Sequence, residues 1–131
     1  MEGHVLLPRL GKNGNVSFIF DTGADTSLLM PLDGQRMGID YGRFQKEETS
    51  LGIGGTSDNY IESAYLAFVG DEALFGYEIE LRVCKPSKDL MTIPSLLGRD
   101  IIDQWRVTYD KSALELLAEV ISSDAQQVLE D

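Results

Sequence analysis

An acid at the end of an apolar strand constrains this chain more than any other feature. Val16-Ser17-Phe18-Ile19-Phe20 runs directly into Asp21-Thr22-Gly23-Ala24, and Thr26-Ser27-Leu28-Leu29 follows after Asp25. The pattern predicts a strand that delivers a carboxylate into a tight turn. Burying an acid in this way is costly unless its charge is shared, paired or used. Farther along, Ile93-Pro94-Ser95-Leu96-Leu97 forms a second apolar segment that runs into Gly98-Arg99-Asp100, and Gly52-Ile53-Gly54-Gly55 lies between the two.

The remaining periodicity is that of strands. His4 to Leu10 and Val16 to Phe20 flank Gly11-Lys12-Asn13-Gly14-Asn15, whose glycines and asparagines suit a hairpin connection with positive φ. Glu47 to Leu51 and Asn59 to Phe68 read as two strands joined across the glycine-rich segment into a long hairpin. Tyr77, Ile79, Leu81 and Val83 alternate with Glu78, Glu80, Arg82 and Cys84, as in a half-buried strand with one wet face. Short helices are expected at Pro31 to Met37, opened by proline and stopped near Gly38, and at Arg99 to Gln104. Trp105 to Tyr109 alternates as a strand. From Ser112 the signals conflict. Ser112 with Glu115 makes a capping box and Ala113, Leu116, Leu117, Val120 and Ile121 recur at helical spacing, whereas a returning strand through about Leu116 suits the fold implied below. The strand is preferred, with a helical or disordered end beyond it.

At 131 residues the chain is long enough for one domain with a real core and too short for two. We expect the domain to span residues 1–121, with 122–131 an acidic tail of a composition that is often mobile. A formal net charge of −11 argues against nucleic acid and against an anionic membrane surface as partners. The single cysteine, Cys84, has no partner for an internal disulfide, which fits a reducing compartment, so cytoplasmic localisation is expected. No run approaches the roughly 20 apolar residues of a membrane helix, and no secretory signal pattern opens the sequence.

Taken together, Asp21-Thr22-Gly23-Ala24, the glycine-rich segment with Ile53 at its tip, and Leu96-Leu97-Gly98 before a short helix resemble the aspartic proteases of the retroviral type. The resemblance covers roughly Val5 to Tyr109. It implies a mainly β, closed, barrel-like lobe with a hairpin flap and one or two short helices. It also implies a peptidase in which Asp21 is the catalytic residue and Gly52, Ile53, Gly54 and Gly55 form the flap over a peptide or protein substrate. Enzymes of the pepsin type need two Asp-Thr-Gly lobes and this chain has one, so an active site requires a two-fold homodimer.

In such a dimer two carboxylates about 3 Å apart share one proton, the general behaviour of this enzyme class, and titrate as a unit. Neither a metal nor another cofactor is required. Thr22 is expected to bond across the two-fold axis and Gly23 to let substrate backbone approach. Ala24 lacks the hydroxyl that serine or threonine would offer the aspartate, so a weakly acidic to neutral optimum is expected rather than one near pH 2 to 3. Asp25 and Arg99 occupy the positions of a pair that, in the family, braces the active-site loop against the helix after Gly98.

The sequence departs from the retroviral pattern at its ends. A short segment precedes Asp21 and a long one follows Arg99, so an interface of interleaved termini does not fit well. Trp105 to Leu117 is expected to carry more of it. Competing chemistries fare worse. Asp21 and Asp25, with Asp100 and Asp103, could suggest a magnesium phosphotransferase, but the phosphatase-type signature needs acids two apart after its strand and Asp21 and Asp25 are four apart. A cysteine hydrolase would have to use Cys84 in an alternating strand with His4 as the sole histidine. The serious alternative is a catalytically inactive protease-like domain that binds peptides or dimerises, since fold alone does not grant activity.

Overall fold

Alternating burial sets the first two strands. A computed structural model describes residues 1–52, 55–110, 112 and 115–129. In Glu2–Leu7 (β1) the side Gly3, Val5 and Leu7 occupy is buried, and in Lys12–Phe20 (β2) Val16 and Phe18 point inward while Ser17 and Ile19 face out. The turn between them lies earlier than Gly11–Asn15. It falls at Pro8 to Gly11, with the Gly11 N–H donating to the Pro8 carbonyl at 3.2 Å and Gly11 at φ 64°. One glycine supplies the left-handed residue the turn needs, so Lys12 to Asn15 are free to extend the ladder with β1, Leu7 facing Lys12 and Val5 facing Gly14. Gly14 is needed in that strand for another reason: a Cβ there would stand 2.8 Å from the Met37 side chain.

Leu28–Leu29 (β3) leads into the helix Pro31–Arg36 (α1), which has proline in its first turn and is followed by Gly38 at φ 72°. Lys46–Gly52 (β4) and Gly55–Val69 (β5) form the long hairpin, with Gly52 paired to Gly55 at its far end. Ile53 and Gly54, the expected tip, lie outside the described residues. Ala73–Cys84 (β6) returns along β5 from Val69 to Asn59. Ser95–Leu97 (β7) then inserts parallel to β2, and Arg99–Ile102 (α2) follows it.

With Ala125–Val128 (β10) at one edge, the strand order is β10-β6-β3-β7-β2-β1-β5-β4, and the added pairing of β5 with β6 closes the six strands from β6 to β5 into a barrel. Closure removes sheet edges that would otherwise invite pairing with other chains. Inside lie Val5, Leu7, Leu66, Tyr77, Leu81 and Leu97, each shielded from solvent. His4 sits on the outer face of β1, between β2 and β5 rather than at a sheet edge, and its Nδ1 is 2.8 Å from Asn15 Oδ1.

Trp105–Asp110 (β8) and Glu115–Val120 (β9) form a separate two-stranded sheet at one end of the barrel. The Trp105 ring meets Phe68 edge-on at 5.1 Å and Phe20 at 5.9 Å, and its indole N–H donates to Tyr77 Oη at 2.6 Å. The Tyr77 hydroxyl in turn donates to the Ser122 carbonyl at 2.9 Å. Here the helical or disordered end is corrected: the strand runs on to Val120, and β10 adds antiparallel to β6, Ala125 opposite Gly76 and Val128 opposite Ala73. All four β10 residues are exposed, so main-chain bonding holds the segment without apolar patterning. The Asp124 carboxylate helps by accepting from the Glu78 N–H at 2.7 Å. The strand wins over the helical spacing because Ala118 and Val120 share one covered face while Leu117 and Glu119 share the other. Among the described residues no helix is long and apolar enough to cross a membrane.

Candidate active site

β2 ends at Phe20, and the chain turns at once. The Asp21 N–H donates to the Leu97 carbonyl of β7 at 2.9 Å, the Ala24 N–H to the Asp21 carbonyl at 3.1 Å, and the Gly23 N–H to Asp21 Oδ1 at 2.9 Å. The carboxylate is thus aimed by its own loop while Asp21 stays partly open to solvent. Gly23 has no left-handed φ. A Cβ there would face Asp21 Oδ1 at 3.2 Å, so glycine leaves room for the carboxylate. Thr22 and Gly23 are exposed.

The two sequence motifs are stitched together. The Arg99 N–H donates to the Ala24 carbonyl at 2.9 Å. Gly98 is required by close approach, because a Cβ there would lie 2.5 Å from the Thr26 carbonyl carbon and oxygen, backbone atoms with no freedom to yield. Ser27 is fully buried beneath this crossing. Its hydroxyl donates to Asp100 Oδ1 at 2.7 Å and accepts from the Gly98 N–H at 3.0 Å, while its own N–H donates to Asp100 Oδ2 at 2.9 Å. Asp25 and Arg99 form the expected ion pair, but both are open to solvent, with side chains 80% and 48% exposed. Exposed pairs of this kind contribute about 0–1 kcal/mol, so the buried Ser27–Asp100 bonds carry most of the bracing.

The bracing role of Ser27 and Asp100 is what reading the sequence missed. Each stands beside a motif, but their chemistry depends on a contact between positions 73 apart, for which the local pattern has no signal. The same holds for Ser95, whose buried hydroxyl donates to Asp33 Oδ2 at 2.6 Å and accepts from the Met30 N–H at 2.9 Å, tying α1 to β7.

Beside the loop lies a cleft of about 420 Å³, bounded by Gly23, Thr26, Leu28, Glu48, Arg82 and Leu96 among others. The base of the β4–β5 hairpin forms one wall and is held firmly. Arg82 pairs with Glu48 at 3.0 Å, Lys85 with Glu47 at 3.1 Å, and the Phe44 and Tyr60 rings stack at 4.6 Å. Hydrogen bonding to Glu47 raises the Lys85 pKa above its ordinary value, opposed by partial desolvation. Cys84 is buried at the end of β6, and burial pushes its thiol pKa up, away from the reactive thiolate. Gly52 and Gly55 face each other across the hairpin; Ile53 and Gly54 are outside the described residues. Among the described residues no group of three or more His, Cys, Asp or Glu side chains is placed to hold a metal ion.

Comparison with known proteins agrees with this fold. The family model described as retroviral aspartyl protease matches residues 6–109. Among solved structures, a retropepsin-like aspartic protease from Rickettsia conorii superposes with a TM-score of 0.59 at 22% identity, covering 98% of this chain and 94% of that one. At that identity the likeness is one of fold. Among curated proteins, none matches the chain.

Proposed function

We propose, from the premise that this chain belongs to the retroviral aspartyl protease family, that it is an aspartic endopeptidase whose active site is completed by a second copy of itself. The observation that carries this reading is Asp21, held at the end of β2 by its own loop, whose following residues Gly23 to Thr26 line the cleft. One lobe supplies one such carboxylate. Two copies related by a two-fold axis place Asp21 against its counterpart, where the pair shares a proton. The ionised member accepts a proton from a water held between the two. The protonated member donates to the scissile carbonyl as its oxygen gains charge. Thr22 and Gly23 of each loop support the pair, Ala24 and the Asp25–Arg99 pair back the loop, and the Gly52–Gly55 turn closes over the peptide. The substrate binds as an added strand, with main-chain bonds for affinity and side-chain pockets for preference.

For the interface we propose the β8–β9 hairpin. β1 is already bonded on both sides within its own sheet, and the Met1 ammonium donates to the Phe18 carbonyl at 3.1 Å, so this end of the chain is engaged at home. β8 and β9 stand apart from the barrel sheet, and Leu117 and Ile121 expose 55% and 61% of their surface. The single buried thiol also fits the reducing cytoplasm.

The test is cleavage of a diverse peptide library between about pH 3 and 8 by wild type and Asp21→Asn, with the mass of each species measured in solution. Cleavage by a wild-type dimer alone supports the shared-aspartate mechanism, and a maximum in the weakly acidic to neutral range supports the role given to Ala24. A wild-type dimer that cleaves nothing favours a binding module. Leu117→Glu should yield monomers without activity; an active Leu117→Glu dimer refutes this placement of the interface.

A further inference from the structure

The cleft beside the Asp21 loop is lined by both apolar and charged side chains. Its floor is apolar, made by Leu28 and Leu96, but its walls carry charge. Glu48 enters from β4 and Arg82 from β6, bonded to each other through Arg82 Nη2 and Glu48 Oε2 at 3.0 Å. The Arg82 guanidinium is well committed. It also directs Nε at Glu48 Oε1, at a longer 3.5 Å, and Nη1 donates to the Glu80 carbonyl at 2.9 Å.

The two ends of this pair are covered unequally. The Arg82 side chain is 18% exposed and that of Glu48 38%. The Asp25–Arg99 pair on the loop side repeats the asymmetry, with its carboxylate the more open partner. Glu48 and Asp25 both line the cleft and are the more open partners of their pairs, so a side chain that enters it has carboxylate oxygens within reach. Each of those oxygens can accept more than one hydrogen bond.

We infer that this cleft selects a lysine or arginine side chain of the substrate, with Glu48 as the residue that sets the preference and Arg82 as the residue that positions Glu48. The inference rests on the endopeptidase reading for its link to cleavage, although the pocket's preference can also be read as binding. A long basic side chain satisfies both parts of the cleft at once. Its methylene stem lies along Leu28 and Leu96, while its cationic head reaches the carboxylates. An acidic side chain would have to displace Glu48 from Arg82 and would face Asp25 as well. A purely aliphatic one would cover the Glu48–Arg82 pair without replacing the water it removes. The net charge of −11 adds a long-range bias in the same direction.

The experiment is a peptide library randomised around the scissile bond, digested by wild type, by Glu48→Gln and by the exchange Glu48→Arg with Arg82→Glu. The same library is passed over immobilised Asp21→Asn. Wild type should enrich Lys and Arg at one position near the cut. Glu48→Gln should reduce kcat/KM for the basic peptide about fivefold relative to its leucine counterpart, the size of one partly screened charge contact. The exchange should shift the preference toward Glu and Asp. Cleavage with leucine or an acid preferred at that position, or a basic preference untouched by Glu48→Gln, overturns the inference and leaves the endopeptidase reading standing. Absence of cleavage with selective retention of basic peptides does the reverse. Absence of both overturns both.

Discussion

Two ties hold the Asp21 loop to the segment after β7, and they differ in kind. The Asp25–Arg99 pair unites full charges in the open, where water and salt weaken it. The Ser27–Asp100 contact uses a buried hydroxyl and an N–H against one carboxylate, with the Gly98 N–H completing the set. The first is easy to infer from residue types; the second does more work, because a buried polar group left unpaired costs more than an exposed ion pair contributes. The loop is therefore set by what lies beneath it.

Gly98→Ala tests the crossing itself and should have the largest effect. Its methyl group would meet Thr26 backbone at 2.5 Å, so a loss of about 3 kcal/mol or more is expected in urea unfolding. A near-neutral result would show that the two segments can part without harm. Asp100→Ala removes the acceptor from both Ser27 donors and should cost about 2–4 kcal/mol. It should also lower kcat/KM by about 100-fold through misplacement of Asp21. Arg99→Leu should cost at most about 1 kcal/mol and lose even that in high salt. If Arg99→Leu proves as damaging as Asp100→Ala, the ranking of the two ties is reversed.

A smaller effect extends the contrast to the far end of the barrel. Burial raises the Tyr77 pKa above its ordinary value, the Trp105 hydrogen bond works against that rise, and Asp124 adds to it. A raised folded-state pKa means that the neutral phenol is favoured in the folded protein. This contribution is fully present below the unfolded value, about pH 10, and is lost as pH climbs through the folded one. Stability measured from pH 8 to 11 should decline at the alkaline end for wild type and less steeply for Tyr77→Phe. Equal slopes would mean that the tyrosine titrates as if exposed.

Much of this fold was legible before any coordinates. β2 into Asp21, the long hairpin, β6 and both short helices follow from local alternation and from where proline and glycine fall. The family resemblance carried the closure of the sheet. Three features escaped for one physical reason, that tertiary pairing overrode the local pattern. Lys12 to Asn15 look like a turn but gain a full ladder against β1 once Gly11 alone makes the turn. The sequence supports a returning strand only to about Leu116, with helical spacing running on to Ile121, yet the strand pairs with Trp105–Asp110 as far as Val120. The acidic end offers no apolar face and still forms β10, because main-chain bonding to β6 needs none. The turn at Asp21 and the Asp25–Arg99 contact were legible in local motifs, whereas the Ser27–Asp100 bonds became visible only when distant segments met.

The way β5 changes neighbours has a mechanical consequence. β6 accompanies it from Val69 to Asn59, and the Lys85 N–H adds a last bond to the Asp58 carbonyl at 3.1 Å. Beyond that point, among the described residues, β5 pairs with β4 alone, with Thr49 opposite Asp58 and Gly52 opposite Gly55. The outer hairpin is a cantilever, and its clamp lies where Glu48 faces Asn59 and reaches Arg82. A ligand in the cleft would touch the hairpin at this clamp, because Glu48 and Asn59 both line the cleft.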